Sequence, residues 1–191
     1  SWNRFAQRAL RLPLRAALFT DFRRERLFRK HISADAVRAS PIHILFAAAD
    51  LRAGASRFFC NHPPDQLAAE CGADVNFVAR EVMLADDPIQ AVMASSALPI
   101  AFAPVEIAGR VYNDGAITAH RPLRPAIRLG ANVLFLVRTQ PTSDTATPRT
   151  FLEIGATALD IPLAQNLAAD LNELSEINAT CERLASQVGH A

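Results

Sequence analysis

The chain has 191 residues, half of them hydrophobic and a fifth charged. A core of domain size is therefore within reach, and general disorder is excluded. Lys and Arg number 20 against 19 Asp and Glu, a net charge of +1, which excludes a uniformly basic nucleic-acid binder. Every apolar run falls short of the ~20 residues that a bilayer-spanning helix needs. The start at Ser1 and Trp2 does not resemble a signal peptide, and the missing Met points to an excised or processed segment. Cys60, Cys71 and Cys181 show no C-x-x-C spacing. Their odd number argues against a disulfide framework and fits a reducing compartment.

The charge is concentrated at the start. Residues 1–30 hold eight Arg and one Lys against Asp21 and Glu25, a net +7, and the remaining residues carry −6. Leu10, Leu14, Leu18 and Phe22 recur at helical spacing in this segment. The pattern predicts a helix over residues 2–30, interrupted near Pro13. An amphipathic helix packed on its parent domain explains it, and so does contact with an anionic membrane surface.

Further along, residues 42–48 form a nearly unbroken apolar run after Pro41, which predicts a strand buried on both faces. The turn Asp50-Leu-Arg-Ala-Gly54 ends it. Residues 57–60 read as a second short strand, and Asn61-His-Pro-Pro64 as a breaker. Residues 65–84 predict a helix interrupted at Gly72, with Asp74 capping the second piece. Asp87 and Pro88 are suited to the N-cap and first position of a small-residue helix over residues 89–97. Residues 105–112 predict a hairpin turning at Ala108-Gly109, and Asp114-Gly115 a tight turn. Residues 122–129 predict a short helix closed by Gly130. Residues 132–137 read as a second buried strand, and residues 139–150 as a surface loop. Strands alternating with helices indicate a parallel α/β sheet. After Pro162, Leu163, Leu167, Leu171, Leu174, Ile177, Cys181, Leu184 and Val188 make one apolar stripe, a long helix predicted to pack on the sheet layer.

Residues 87–138 carry an ordered set of elements. They are A-S-S-A-L-P at 94–99, Gly109-Arg110, Tyr112-Asn113-Asp114-Gly115-Ala116, Pro122-Leu123 and Leu129-Gly130-Ala131-Asn132. The set resembles the C-terminal half of the patatin-like phospholipase family. That family has a small-residue helix ending in Pro, a hairpin, a D-G-A motif, a Pro-containing helix, and L-G-A-[DN] leading into a strand. Residues 41–54 are similar to the family's strand and T-D-x-x-T-G-like turn. The resemblance covers roughly residues 20–140, and the last helix more loosely. It implies the C-terminal half of a three-layer αβα sheet followed by a long helix. Residues 1–40 would then be a basic helical segment, 41–140 the half-domain and 150–191 a helical tail.

The implied activity is lipid acyl hydrolysis through a Ser–Asp dyad. A serine hydroxyl needs an adjacent base. In the family the carboxylate itself takes the proton, so a partly buried Asp with a raised pKa suits the task. The resemblance assigns this role to Asp114, with Gly115 and Ala116 supporting the motif. The sequence departs from the family in two respects. It has no G-x-S-x-G nucleophile elbow and no glycine-rich oxyanion loop, and its seven glycines are too scattered to build either. Thr118-Ala-His-Arg-Pro122 also stands where the family often has Asn-Pro.

The chain is therefore expected to supply the Asp base and to be inactive alone, its substrate a lipid or other carboxylic ester. The alternative is a truncated or degenerate domain that binds a membrane or a partner without catalysis. Ser95 and Ser96 read as structural members of their helix. His120 is not expected to pair with Asp114, and Asp86-Asp87 reads as a cap with a solvated neighbour. Among the histidines no metal-ligand spacing occurs, and no cofactor is expected. No phosphate-cradling glycine loop follows either strong strand. Nucleic acid is not an expected partner. Membrane contact through the basic segment, self-association through a cut sheet edge and a cytoplasmic or peripheral-membrane location are.

Overall fold

The structure, a computed structural model, describes residues 17–118, 123–137 and 150–188. Two compact units divide the chain, Ser1–Thr118 and Ala119–Ala191. In the first, helix α1 (Asp21–His31) has Asp21 in its first turn and Arg29, Lys30 and His31 in its last, charges that match the helix dipole. The helix predicted over residues 2–30 is thus present from residue 21, and its earlier part (1–16) lies outside the described residues. Helix α2 (Ala34–Arg38) is capped by Ser33, whose Oγ accepts from the Ala36 N–H at 3.2 Å.

Strands β1 (Leu45–Asp50) and β2 (Ala55–Cys60) form an antiparallel pair in register from Leu45↔Cys60 to Asp50↔Ala55. β1 starts three residues later than the apolar run. Ile42 is 70 % exposed. Asn61 is the reason. Its Nδ2 donates to the carbonyls of Val37 and Ile42, and its Oδ1 accepts from the Ile44 N–H at 2.8 Å. The backbone on either side of His43 is therefore committed to a side chain rather than to a strand.

Helix α3 (Pro64–Cys71) ends at Gly72 in the left-handed region. Helix α4 (Val75–Glu81) is capped by Asp74, which accepts from the Asn76 and Phe77 N–H groups. The predicted helix over residues 65–84 stops at Glu81, and β3 (Val82–Leu84) runs parallel to β2. Helix α5 (Pro88–Ser95) opens on the predicted Asp87 cap and Pro88. The hairpin is β4 (Val105–Ile107) and β5 (Arg110–Asp114). Ala108 and Gly109 have φ of +50° and +72°, the double positive φ that a two-residue hairpin turn requires.

The strand order is β3-β2-β1-β5-β4. The sheet is mixed, where the sequence suggested a parallel one. Among the described residues only β2 and β3, joined through two helices, pair in parallel. The β1–β2 and β4–β5 links span four and two residues, too short for a parallel crossover. β1 is central, with Ala48, Ala49 and Asp50 fully buried. On one face Phe59 and Tyr112 meet edge to face at 5.1 Å. They cluster there with Ala48 and with Ala91 and Ala94 of α5. On the other face Phe58 packs on Phe77 of α4 at 5.7 Å. Helices thus cover both faces, an αβα arrangement. Burying one such Phe contributes about 2 kcal/mol.

The second unit contains α6 (Arg124–Arg128) and α7 (Phe151–Val188). Gly130 follows α6 with φ of +88°, as predicted. Buried Asp170 accepts from the Leu123 N–H at 3.2 Å and ties the start of α6 to α7. The predicted strand over residues 132–137 does not form. Phe135 is 93 % and Val137 89 % exposed. A strand needs a neighbour to take its N–H and C=O groups, and the described residues of this unit contain only helices. Helix α7 has 38 residues and begins before Pro162 rather than after it. Proline removes one backbone bond, and the turns on both sides of it carry the helix through. In its apolar stripe Leu171, Ile177 and Leu184 are about half exposed. The predicted loop lies mostly outside the described residues.

Asn61→Ala should strip three backbone groups of their partner at once. The expected cost is about 2 kcal/mol, read as a lower urea midpoint with an unchanged m-value. A midpoint within error of the parent would mean that water replaces the amide without loss.

Candidate active site

Asp114 is the last residue of β5. It pairs with Ala48 across the sheet, and its N–H donates to the Ala97 carbonyl at 3.0 Å. It is half-buried, and its Oδ1 accepts from the Ala116 N–H at 2.9 Å. That bond caps a single 3-10 turn, Gly115–Ile117. The other oxygen, Oδ2, accepts no hydrogen bond among the described residues and is not sealed from solvent. One carboxylate oxygen is held by the turn, and the other is left for an outside donor.

Gly115 is buried against β1. A Cβ there would lie 2.6 Å from the Ala47 carbonyl oxygen and 2.7 Å from its carbon. These are backbone atoms, so no rotamer change relieves the clash. The glycine next to the carboxyl is thus fixed by close approach of two backbones. The turn is closed by Thr118, whose Oγ1 accepts from Ser56 Oγ of β2 at 2.9 Å.

Burial is the main influence on the Asp114 carboxyl and raises its pKa above the ordinary Asp value. The Ala116 N–H and then the positive charge of Arg24 pull the other way. Arg24 was not singled out in the sequence. It is one of eight arginines in the basic segment, but its side chain is only 9 % exposed. Nη1 donates to the Ser96 carbonyl at 2.5 Å, Nη2 to Asp21 Oδ1 at 2.7 Å, and the guanidinium stacks over the Phe102 ring at 4.2 Å. Arg24 and Asp114 therefore hold successive carbonyls, Ser96 and Ala97, of the turn that ends α5. The available signal was Asp21 three residues earlier, on the same helix face.

Asp50, in the T-D-x-x-T-G-like segment, is fully buried at the end of β1. Its carboxylate accepts from the Arg52 and Ala53 N–H groups, both at 3.0 Å, and from Arg110 Nη1 at 2.8 Å. Burial alone would raise its pKa, but the Ala53 N–H, Arg110 and the Arg52 N–H together hold it below the ordinary range. Its stabilising effect is present above the ordinary Asp range and is lost as pH falls through the lowered value. Asp50 thus clamps the β1–β2 turn.

None of the remaining candidates that the structure describes hydrogen-bonds to the Asp114 carboxyl. Ser96 Oγ donates to the Val92 carbonyl at 2.7 Å, a bond within its own helix. Asp87 caps α5 and takes Arg29 at 3.3 Å. His120 lies outside the described residues. No group of three His, Cys, Asp or Glu suited to a metal occurs among the described residues. The structure thus brings Asp114, Gly115 and Ala116 into one turn and adds Arg24 beside it.

Removing the guanidinium charge with Arg24→Met should move the Asp114 titration further upward, because burial then acts with less opposition. Carboxyl carbon NMR of the 191-residue chain reads that midpoint directly. An unchanged midpoint would show that the Arg24 charge does not reach the carboxyl.

No curated protein and no solved structure matches the chain. A family model described as Patatin-like phospholipase matches residues 1–127, a span that contains the whole first unit and the Asp114 turn. The chain therefore belongs to the patatin-like phospholipase family, whose members are lipid acyl hydrolases acting on lipid substrates.

Proposed function

We propose that the chain supplies the general base of a Ser–Asp dyad for hydrolysis of lipid carboxylic esters. Asp114 is that base. The observation that carries the reading is its divided carboxyl. Oδ1 is bound by the Ala116 N–H, Oδ2 has no partner among the described residues, and burial raises the basicity of the group. A carboxyl with a pKa nearer neutrality is the better proton acceptor. As the serine oxygen attacks the ester carbonyl carbon, its proton passes to Asp114. The same proton then leaves with the departing alcohol as the C–O bond breaks. Water hydrolyses the resulting acyl-enzyme by the same transfers, restoring serine and carboxylate.

The 191 residues contain no G-x-S-x-G, so the nucleophile in this scheme comes from polypeptide outside them. The chain alone is then inactive. In the protein that joins it to such a segment, Asp114→Asn should lower kcat for a p-nitrophenyl ester about 1,000-fold, within the usual range for a lost general base. Near-parental turnover in that variant would remove Asp114 from the mechanism. Turnover by the 191-residue chain alone would reveal a nucleophile of its own.

Contact with a membrane surface through the basic segment, a cytoplasmic or peripheral-membrane location, and self-association complete the proposal. Exposed Val133, Phe135 and Val137 support self-association, because an unpaired apolar run with high β propensity seeks a partner. Sedimentation of the chain should depend on concentration in the micromolar range, and Phe135→Ser should shift it toward monomer. A monomer at every concentration would exclude this part of the proposal.

A further inference from the structure

Helix α1 has two faces of different character. Asp21, Arg24, Glu25 and Phe28 are half-buried, and their side chains or neighbours hold the helix to the first unit. Both acids of the helix are consumed internally, Asp21 by Arg24 at 2.7 Å and Glu25 by Arg29 at 2.9 Å. Phe22, Arg23, Arg26, Leu27 and Lys30 are all exposed. At 100° per residue these five span an arc of about 140°, one continuous outward face. Phe22 is 72 % and Leu27 55 % exposed. Arg23, Arg26 and Lys30 have no carboxylate partner among the described residues. The face is therefore cationic without compensation and apolar without cover.

The segment before α1 extends the same character. The Leu18 and Phe19 N–H groups donate to the carbonyls of Ile100 and Ala101 at 3.0 and 2.9 Å. Leu18, Phe19 and Ile100 are each more than half exposed. Ile100 has φ of +71°, a conformation that a β-branched residue adopts only under strain. A strained backbone thus presents an isoleucine to solvent next to two other exposed apolar side chains.

We propose that the outward face of α1, with Leu18, Phe19 and Ile100, docks on an anionic lipid surface. Unpaired cations draw the helix to negative headgroups. Phe22, Leu27 and Ile100 enter the boundary between headgroup and acyl chain, as in a helix lying in the membrane plane. A neutral protein surface would leave the three cations without counter-charge, and an acidic one would leave the apolar side chains without a pocket. A bilayer of anionic lipid satisfies both. The purpose of docking rests on the lipid-hydrolase reading. The opposite face of the same helix carries Arg24, which holds the turn beside Asp114, so the docking helix and the Asp114 turn belong to one compact unit.

The test is sedimentation of the 191-residue chain with phosphatidylcholine vesicles containing either no anionic lipid or about one-third phosphatidylglycerol. Binding should require the anionic lipid and weaken several-fold in high salt. Replacing Arg23, Arg26 and Lys30 together by Gln should weaken it about 100-fold, at roughly 5-fold per charge. Phe22→Ser with Leu27→Ser should weaken it at least tenfold while leaving the thermal midpoint near that of the parent, since both side chains are exposed. Equal binding to uncharged vesicles overturns the proposal. Full binding by either variant also overturns it and moves any membrane contact elsewhere in the chain. A single-stranded oligonucleotide bound as tightly as the anionic vesicles makes the face a nucleic-acid site instead. None of these readouts involves Asp114, so failure of the docking surface is distinct from failure of the Asp114 base.

Discussion

Between residue 115 and the carbonyl of Ala47 there is room for a hydrogen atom and nothing larger. This approach sets the end of β5 against the middle of β1, the most buried strand of the sheet. Because the two backbones meet here, the chain after Asp114 must turn at once. The turn delivers the Ala116 N–H to the Asp114 carboxyl. A side chain at 115 would push the strands apart, and the pairing of Ala48 with Asp114 would go with them. The position of the carboxyl is thus a consequence of packing between main chains rather than of any contact the carboxyl makes.

Around that constraint most polar groups near the site are paired, Arg24 Nε and Asn113 Oδ1 being buried without a partner among the described residues. The end of α5 offers successive carbonyls. Arg24 takes Ser96 and the Asp114 N–H takes Ala97. The guanidinium is also held by Asp21 and by the face of Phe102, which offsets much of the cost of a nearly buried cation, while its buried Nε has no hydrogen-bond partner among the described residues. Its charge lies close enough to Asp114 to oppose burial without cancelling it. Two residues further along β1 from Ala48, the partner of Asp114, Asp50 is in the reverse situation. Three donors outweigh burial and hold its pKa below the ordinary Asp range. The two carboxyls flank one strand pair and are driven in opposite directions by their surroundings. Such a separation distinguishes a carboxyl held by three donors from one governed mainly by burial.

Local signals in the sequence are legible where chemistry acts over a few residues. The Asp74 and Asp87 caps, Pro88 at the first helical position, the Ala108-Gly109 hairpin and the glycine after α6 all depend on one or two neighbours. Asn61 was legible only as a breaker. Its amide binds Val37, which is 24 residues away, and nothing nearby in sequence announces that bond. Arg24 was hidden among eight arginines for the same reason. Its partners Ser96 and Phe102 are more than 70 positions distant. The apolar run at residues 132–137 misled because hydrophobicity gives a strand its side chains but not its neighbour.

Alone, the sequence determined most of the caps and turns, the D-G-A motif and the family to which the chain belongs. Spacing, caps and turn residues are local properties, and they survive without knowledge of what packs on what. Tertiary structure decided the antiparallel pairing of β1 with both neighbours and the close approach at Gly115. It also chose the one arginine that turns inward and left a cationic, apolar face of α1 turned outward. Those outcomes depend on which distant groups share a dry interior, and burial is a property of the folded whole.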